Sequence, residues 1–369
     1  MIDFMEYGLR KYYQTIGWNE DKYYTNLDAG PNRILVFPIP IGLNFALGKR
    51  ISPVFKSAYC ISIPEGRSAA FMYTSVPVDL PVLPVHEYYS TIVPSPKSYF
   101  PFMHKTIETD KANNESISTP VSNSNSYILF GRLFEDLHLE GLYSQLLSPQ
   151  ILLTASTLSE FKWKSDLEKD DFNINAQLVY NGPKICAELS ANSDSSIIGG
   201  NILGQMSTNW DMGTEVYYTA KENSGGCKYS KVYCIAFLDT HVNLVTFIHL
   251  VSLGARYKKQ YQEGVESILT LVANPIMGHL NSAYSTTVLK DMQMATRYSF
   301  NMYSFNADVS VGIEYAPVGR NQVLKARLSL EEGVALRFDG RFKDIMYSIG
   351  MSTGFGPDSK QFFGVQIQL

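Results

Sequence analysis

From Ser304 to Tyr315 the side chains alternate without interruption: Phe305, Ala307, Val309, Val311, Ile313 and Tyr315 fall on one face, and Ser304, Asn306, Asp308, Ser310, Gly312 and Glu314 on the other. Successive side chains of an extended chain point to opposite faces, so a period of two reads as a strand. The pattern recurs in Leu324, Ala326, Leu328 and Leu330, spaced by Lys325, Arg327 and Ser329. It continues through Val334, Leu336 and Phe338, then Ile345, Tyr347, Ile349 and Met351. Phe172, Ile174, Ala176, Leu178 and Tyr180 show it well upstream. Short links between such runs predict an antiparallel meander.

A soluble sandwich alternates too. Two features favour a membrane barrel instead. The Ser304–Tyr315 run is long for an ordinary strand but suits one that crosses a bilayer at a tilt. Strand after strand also sets Asn, Gln, Asp, Arg and Lys opposite a strip of Leu, Val, Ile, Phe and Tyr, as a wet lumen with lipid outside requires. Closure removes the unpaired edges that hydrocarbon does not tolerate. No uncharged apolar run approaches the ~18 residues of a spanning helix, so a membrane form of this chain spans with strands. The fold class is therefore all-β, read as one domain over residues 1–369.

Charged residues are 18% of the chain, against roughly 25% in soluble domains, and there are 24 tyrosines and 20 phenylalanines. The net charge of −4, without a Lys/Arg cluster, argues against nucleic acid as a partner. The acidic opening Met1-Ile2-Asp3-Phe4-Met5-Glu6 disfavours a cleaved targeting signal. Residues 3–16 make the best helix: Met5, Leu9, Tyr12, Tyr13 and Ile16 form one apolar stripe, with Asp3 as its cap. The Ser, Asn, Thr and Pro mixture between about 105 and 125 predicts a mobile surface loop. The Gly199-Gly200 pair reads as a hairpin turn.

No constellation points to catalysis. Asp308 and Glu314 share a face but stand about 20 Å apart along a strand, so they read as lumen charges balanced across the hairpin by Lys325 and Arg327. His86, His104, His138, His241, His249 and His279 lack metal-ligand spacing, and no nucleophile elbow, P-loop or dinucleotide fingerprint occurs. Cys60, Cys186, Cys227 and Cys234 read as free thiols, a Cys227–Cys234 disulfide being the other possibility. No enzyme activity, cofactor, metal or small-molecule substrate is expected.

The N-terminal segment resembles the fungal mitochondrial distribution and morphology protein 10 family in Met5-Glu6, Leu9-Arg10, Tyr13-Gln14, Trp18 and Tyr24, then in Leu35, Phe37, Ile39 and Pro40. Asn274-Pro275-Ile276-Met277-Gly278-His279, Ala283-Tyr284-Ser285 and the run from Arg297 to Ser304 resemble further family segments. The final strand is similar to the sorting signal of mitochondrial barrels: Gly364, Val365, then Ile367 and Leu369 as its paired hydrophobic residues, with Phe362 where that pattern expects a polar residue.

The resemblance implies a barrel of about 19 strands with the N-terminal helix inside, in the mitochondrial outer membrane, like the voltage-dependent anion channel. It implies two assemblies as partners besides membrane lipids. One is the ER–mitochondria encounter structure, which tethers the organelles and exchanges phospholipid. The other is the sorting and assembly machinery, joined by a small subunit of the import translocase. Phe71-Met72-Tyr73 stands where relatives carry an aromatic, apolar, aromatic triplet, and Tyr298 with Phe300 forms a second pair. The resemblance suggests Phe71 and Tyr73 for docking the tether and Tyr298 and Phe300 for the insertion machinery. An interfacial aromatic girdle needs no partner and remains the simpler reading of both. The alternatives to a scaffold are a pore for anions or metabolites and a soluble sandwich with binding loops.

Overall fold

The computed structural model describes residues 4–64, 66–78, 125–160, 172–193, 197–219, 250–260, 266–289, 291–317, 321–343, 345–355 and 361–369. These form nineteen strands: β1 (Gly42–Arg50), β2 (Phe55–Ile63), β3 (Gly66–Thr74), β4 (Tyr127–Phe134), β5 (His138–Ser148), β6 (Ile151–Glu160), β7 (Phe172–Asn181), β8 (Ile185–Asn192), β9 (Ile197–Gln205), β10 (Trp210–Thr219), β11 (Leu250–Gln260), β12 (Glu266–Asn274), β13 (His279–Leu289), β14 (Met292–Asn301), β15 (Ala307–Tyr315), β16 (Gln322–Ser329), β17 (Gly333–Phe342), β18 (Ile345–Thr353) and β19 (Gln361–Gln368). Every strand pairs antiparallel with its sequence neighbour, and β1 closes the sheet by pairing parallel with β19. Parallel closure follows from an odd count, because alternating directions leave the first and last strands running the same way. Odd-numbered strands thus all begin at one rim, marked by Gly42, and end at the other, marked by Arg50.

The wall is inverted relative to a soluble protein. On β16, Leu324 and Leu328 are 43% and 50% exposed, while Lys325 between them is 1% exposed. The facing positions of β15 behave alike, with Val309 and Ile313 outward and Ser310 and Glu314 buried. Apolar groups facing out are stable only against hydrocarbon. No helix among the described residues is long and apolar enough to cross a membrane, so crossing falls to the strands.

Residues 4–41 line the inside of this wall. Helix α1 (Phe4–Ile16) buries Tyr12, Tyr13 and Ile16 against Met72 of β3, Phe130 of β4, Leu142 of β5, Leu152 of β6, Val179 of β7 and Cys186 of β8. Met72 lies between the outward-facing Phe71 and Tyr73, so α1 is in the lumen. A 3-10 turn at Tyr24–Asn26 then sets Tyr24 and Leu27 on Leu203 of β9. Helix α2 (Ala29–Leu35) puts Ile34 and Leu35 on Ala295 of β14. Finally Arg337 of β17 donates to Pro38 O at 2.5 Å, and Ile39 and Pro40 cross Gly350 of β18 and Gly364 of β19. The segment therefore passes the strands in their own order, from β3 round to β19, before it becomes β1.

Glycines make room for this belt at its closest passages. A Cβ on Gly254 would stand 2.5 Å from Leu27 Cδ1, and one on Gly312 would stand 2.9 Å from Leu35 Cδ2. Buried aromatic and aliphatic side chains each contribute about 1.5–3 kcal/mol, which holds the belt to a wall that is otherwise polar.

Three expectations need correction. The strand read from Ser304 begins only at Ala307, because Asn301 Oδ1 accepts from the backbone N–H of Tyr303 and Ser304, and Phe305 turns at φ 56°. Gly199 and Gly200 lie within β9, where a Cβ on Gly199 would meet the Tyr217 ring at 2.6 Å. Arg327 does not balance the β15 acids: it pairs with Glu332 and donates to Leu35 O at 3.0 Å. The expected 105–125 loop, the Asp3 cap and the Cys227–Cys234 pair lie outside the described residues.

Candidate functional site

The lumen holds ion pairs set up by α2, whose Arg33 projects onto β15. Arg33 Nη2 stands 2.6 Å from Glu314 Oε1, and Lys325 Nζ of β16 stands 3.0 Å from Glu314 Oε2. Lys325 Nζ also donates to Arg33 O at 2.9 Å, so one lysine ties the α2 backbone to the carboxylate. Asp308 on the same strand accepts from the hydroxyls of Ser310 and Ser329 at 3.0 and 3.1 Å. The two carboxylates serve separate networks rather than one reacting centre. At the far end of α1, burial holds the Glu20 carboxyl above its ordinary range against the opposing pull of its partner Arg10. Among the described residues no group of three His, Cys, Asp or Glu side chains is placed to hold a metal.

The belt leaves a lumenal cavity of about 670 Å³ on the seam side, with Arg10, Arg33, Arg132 and Arg337 among its lining residues. Each of these guanidinium groups already faces a carboxylate: Glu20, Glu314, Glu140 and Asp339 respectively. The cavity wall is therefore charged but internally compensated.

The aromatic residues singled out in the sequence face outward. Phe71 and Tyr73 are 43% and 37% exposed near the Arg50 rim. Tyr73 starts a row of rings that sequence reading missed: its centroid is 6.0 Å from that of Tyr127, which is 6.2 Å from that of Tyr143. The missing signal was register, since only the pairing of β3 with β4 and of β4 with β5 brings these residues together. Tyr298 and Phe300 stack at 6.4 Å with planes 8° apart, near the Gly42 rim. The two pairs thus occupy opposite rims and stand eight strands apart the short way round, so no single small ligand bridges them.

The residues of the expected sorting signal are in the closing strand. Val365 and Ile367 face out beside Leu43 and Phe45 of β1, Gly364 lies opposite Gly42, and Leu369 N donates to Ala46 O at 2.9 Å. Phe362, where that pattern expects a polar group, occupies a lumen-facing position at the Gly42 rim.

A family model described as "Mitochondrial distribution and morphology protein 10" matches residues 1–318. The chain belongs to that family. A curated protein of this name from Coprinopsis cinerea is 24% identical over 464 residues, covering 100% of this chain and 99% of its own length. One from Yarrowia lipolytica is 26% identical over 375 residues, covering 96% and 95%. Among solved structures, a triple mutant of Rhodopseudomonas blastica porin aligns at 10% identity with a TM-score of 0.38, over 65% of this chain and 90% of that one, which adds nothing to the strand pairing described above. The family is mitochondrial by its name, and the apolar exterior of the barrel suits a membrane protein.

Proposed function

We propose that this barrel is a non-enzymatic scaffold of the mitochondrial outer membrane that holds two sets of partners. The face of Phe71 and Tyr73 anchors tether subunits of the ER–mitochondria encounter structure, for organelle tethering, phospholipid exchange and mitochondrial morphology. The face of Tyr298 and Phe300 joins the sorting and assembly machinery and a small subunit of the import translocase during barrel biogenesis. The observation that supports this reading is the separation of two outward-facing aromatic pairs at opposite rims, which lets two assemblies bind without competing for surface. Exposed aromatics suit hot spots because they bury much area with little loss of side-chain freedom.

Replacing Phe71 and Tyr73 by Ala is expected to weaken recovery of the tether subunits in pull-downs by at least about thirtyfold, the loss of roughly 2 kcal/mol at a hot spot. Recovery of the insertion machinery stays unchanged, and the reverse holds for Tyr298 and Phe300. Both variants remain resistant to carbonate extraction. Unchanged recovery of both assemblies in both variants returns these rings to the girdle.

The second reading, a pore for anions or metabolites, draws on the 670 Å³ lumenal cavity. With α1, the 3-10 turn and α2 all seated inside the wall, the purified barrel is expected to show no large stable conductance in a planar bilayer. Sustained conductance of the size of an open porin favours the pore.

A further inference from the structure

The outward face is not uniformly apolar where the seam meets the Arg50 rim. The lipid-facing column of β1 reads Leu43, Phe45, Leu47, Lys49, so its last member is a lysine at the level where hydrocarbon ends. Lys49 pairs in register with Ser57 of β2, whose side chain shares that face. Three strands away, the last outward residue of β17 is Phe342, 66% exposed, with Lys343 Nζ 5.7 Å from its ring centroid. Lys343 holds φ 55°, a left-handed turn conformation uncommon outside glycine, in which the ammonium lies over the ring. Arg341 Nε donates to Lys343 O at 2.6 Å and braces the turn.

Between the two lysines the floor is apolar: Ile345 opens β18 and Leu369 follows β19, and they are 37% and 56% exposed. From Arg341 to Lys343, at Ile345, and from Lys49 to Lys56, the described residues at this rim include five cations and no Asp or Glu side chain: Lys49 faces outward and Lys343 lies over the outward Phe342 ring, Arg50 and Arg341 occupy lumen-facing positions, and Lys56 is buried. Asp344 lies outside the described residues. At the Gly42 rim the neighbouring β16–β17 turn carries the exposed pair Glu331 and Glu332 instead.

We propose that this corner is a binding site for an anionic phospholipid of the leaflet that meets the Arg50 rim. Acyl chains lie along Phe342, Ile345 and Leu369, and headgroup phosphate oxygens accept hydrogen bonds from Lys49 and Lys343, with the Ser57 hydroxyl in reach of the first. Lysine stems lie along apolar wall and carry the ammonium to the headgroup level, and a ring at the same depth suits the interface. Adjacent strands are about 4.8 Å apart, so the two lysines flank a gap of roughly 10–15 Å. That width favours a lipid with more than one negative charge over a singly charged one. The occupant is a membrane lipid rather than free phosphate because Lys49 ends one apolar, lipid-facing column and Lys343 lies over the ring that ends another.

The test uses the full-length barrel purified in detergent, incubated with an equimolar mixture of phosphatidylcholine, phosphatidylserine and cardiolipin, and read by native mass spectrometry. Wild type is expected to retain the anionic lipids over phosphatidylcholine, cardiolipin most. Each lysine near an anionic surface contributes about fivefold, so Lys49→Gln with Lys343→Gln should lower that preference by roughly twentyfold or more. Arg67→Gln, on an outward column at the opposite rim, should leave it unchanged. Unaltered migration of the unheated double variant on cold SDS gels verifies that the barrel is intact. Equal retention of all three lipids by wild type, or a preference that survives the double substitution, overturns the proposal. Inorganic phosphate competing as well as lipid does too.

Discussion

Glu314→Gln is expected to destabilise the barrel by about 3–5 kcal/mol, the penalty for breaking a buried ion pair from one side. The side chains of Arg33, Glu314 and Lys325 are each 2–3% exposed, so solvent does not screen the loss. The substitution removes the one carboxylate that two buried cations share, while its shape and much of its hydrogen bonding remain. The loss should appear as a lower guanidinium midpoint for the purified barrel. It should also appear locally, as new protease cleavage between residues 29 and 41, because Arg33 and the Lys325 bond to Arg33 O attach α2 to the wall. A matched variant separates charge from packing. Replacing the three together, Arg33→Met, Glu314→Leu and Lys325→Met, removes every charge at similar volume and should recover most of the stability, since buried ion pairs are often no better than apolar groups of their size. A single variant as stable as wild type, or a triple variant worse than the single, rules out this account of the lumen.

How far these features were legible differs along the chain. The inversion of the wall was readable wherever alternation was clean: Leu324, Leu328 and Ile349 stand outward and Lys325, Arg337 and Ser348 inward, as period two requires. Alternation says nothing of where a strand stops. Phe305 continues the pattern in sequence yet leaves the sheet, because the turn is decided by Asn301 and a positive φ that no hydrophobic count detects. The α1 stripe was equally readable, since Tyr12, Tyr13 and Ile16 recur at helical spacing. Helix α2 was not. It has seven residues, includes Gly30 and Pro31, and is too short to display a stripe. Its existence rests on the wall behind it. The ion triad was half visible: Glu314 and Lys325 face each other across a hairpin, but Arg33 arrives from 281 residues away. Pairing at that distance in sequence is a property of closure and leaves no local mark.

Gly364→Ala is expected to impair closure of the barrel severely for the addition of a single methyl group. β19 meets β1 over five register pairs, Gly42–Ala46 with Gly364–Gln368, whereas β1 meets β2 over eight. The seam is thus the shorter of the two ladders that hold β1. At its start, a Cβ on Gly364 would press on Pro40 O and stand 2.6 Å from Pro40 C and 2.9 Å from Gly42 N. These are backbone atoms, so no rotamer change relieves the clash. Pro40 has to lift from the wall, and Gly42 leaves register as it does. Overpacking ordinarily costs about 1–3 kcal/mol, and here the displaced atoms also begin the ladder that closes the barrel. Gly350 gives the control, because a Cβ there meets Pro40 Cδ at 2.7 Å and Ile39 Cγ2 at 3.0 Å, which are side-chain atoms. Gly350→Ala should therefore be milder, and adding Ile39→Ala should relieve part of it by removing the 3.0 Å contact, while the same addition should do nothing for Gly364→Ala. The measurement is refolding of purified protein into detergent, read as the compact form that resists SDS in the cold. No insertion machinery is present in that assay, so a defect there belongs to the seam and not to recognition of a sorting signal. If Gly364→Ala refolds as fast and as fully as wild type, the glycine is not required for closure, and Pro40 has room that the geometry of the seam denies it.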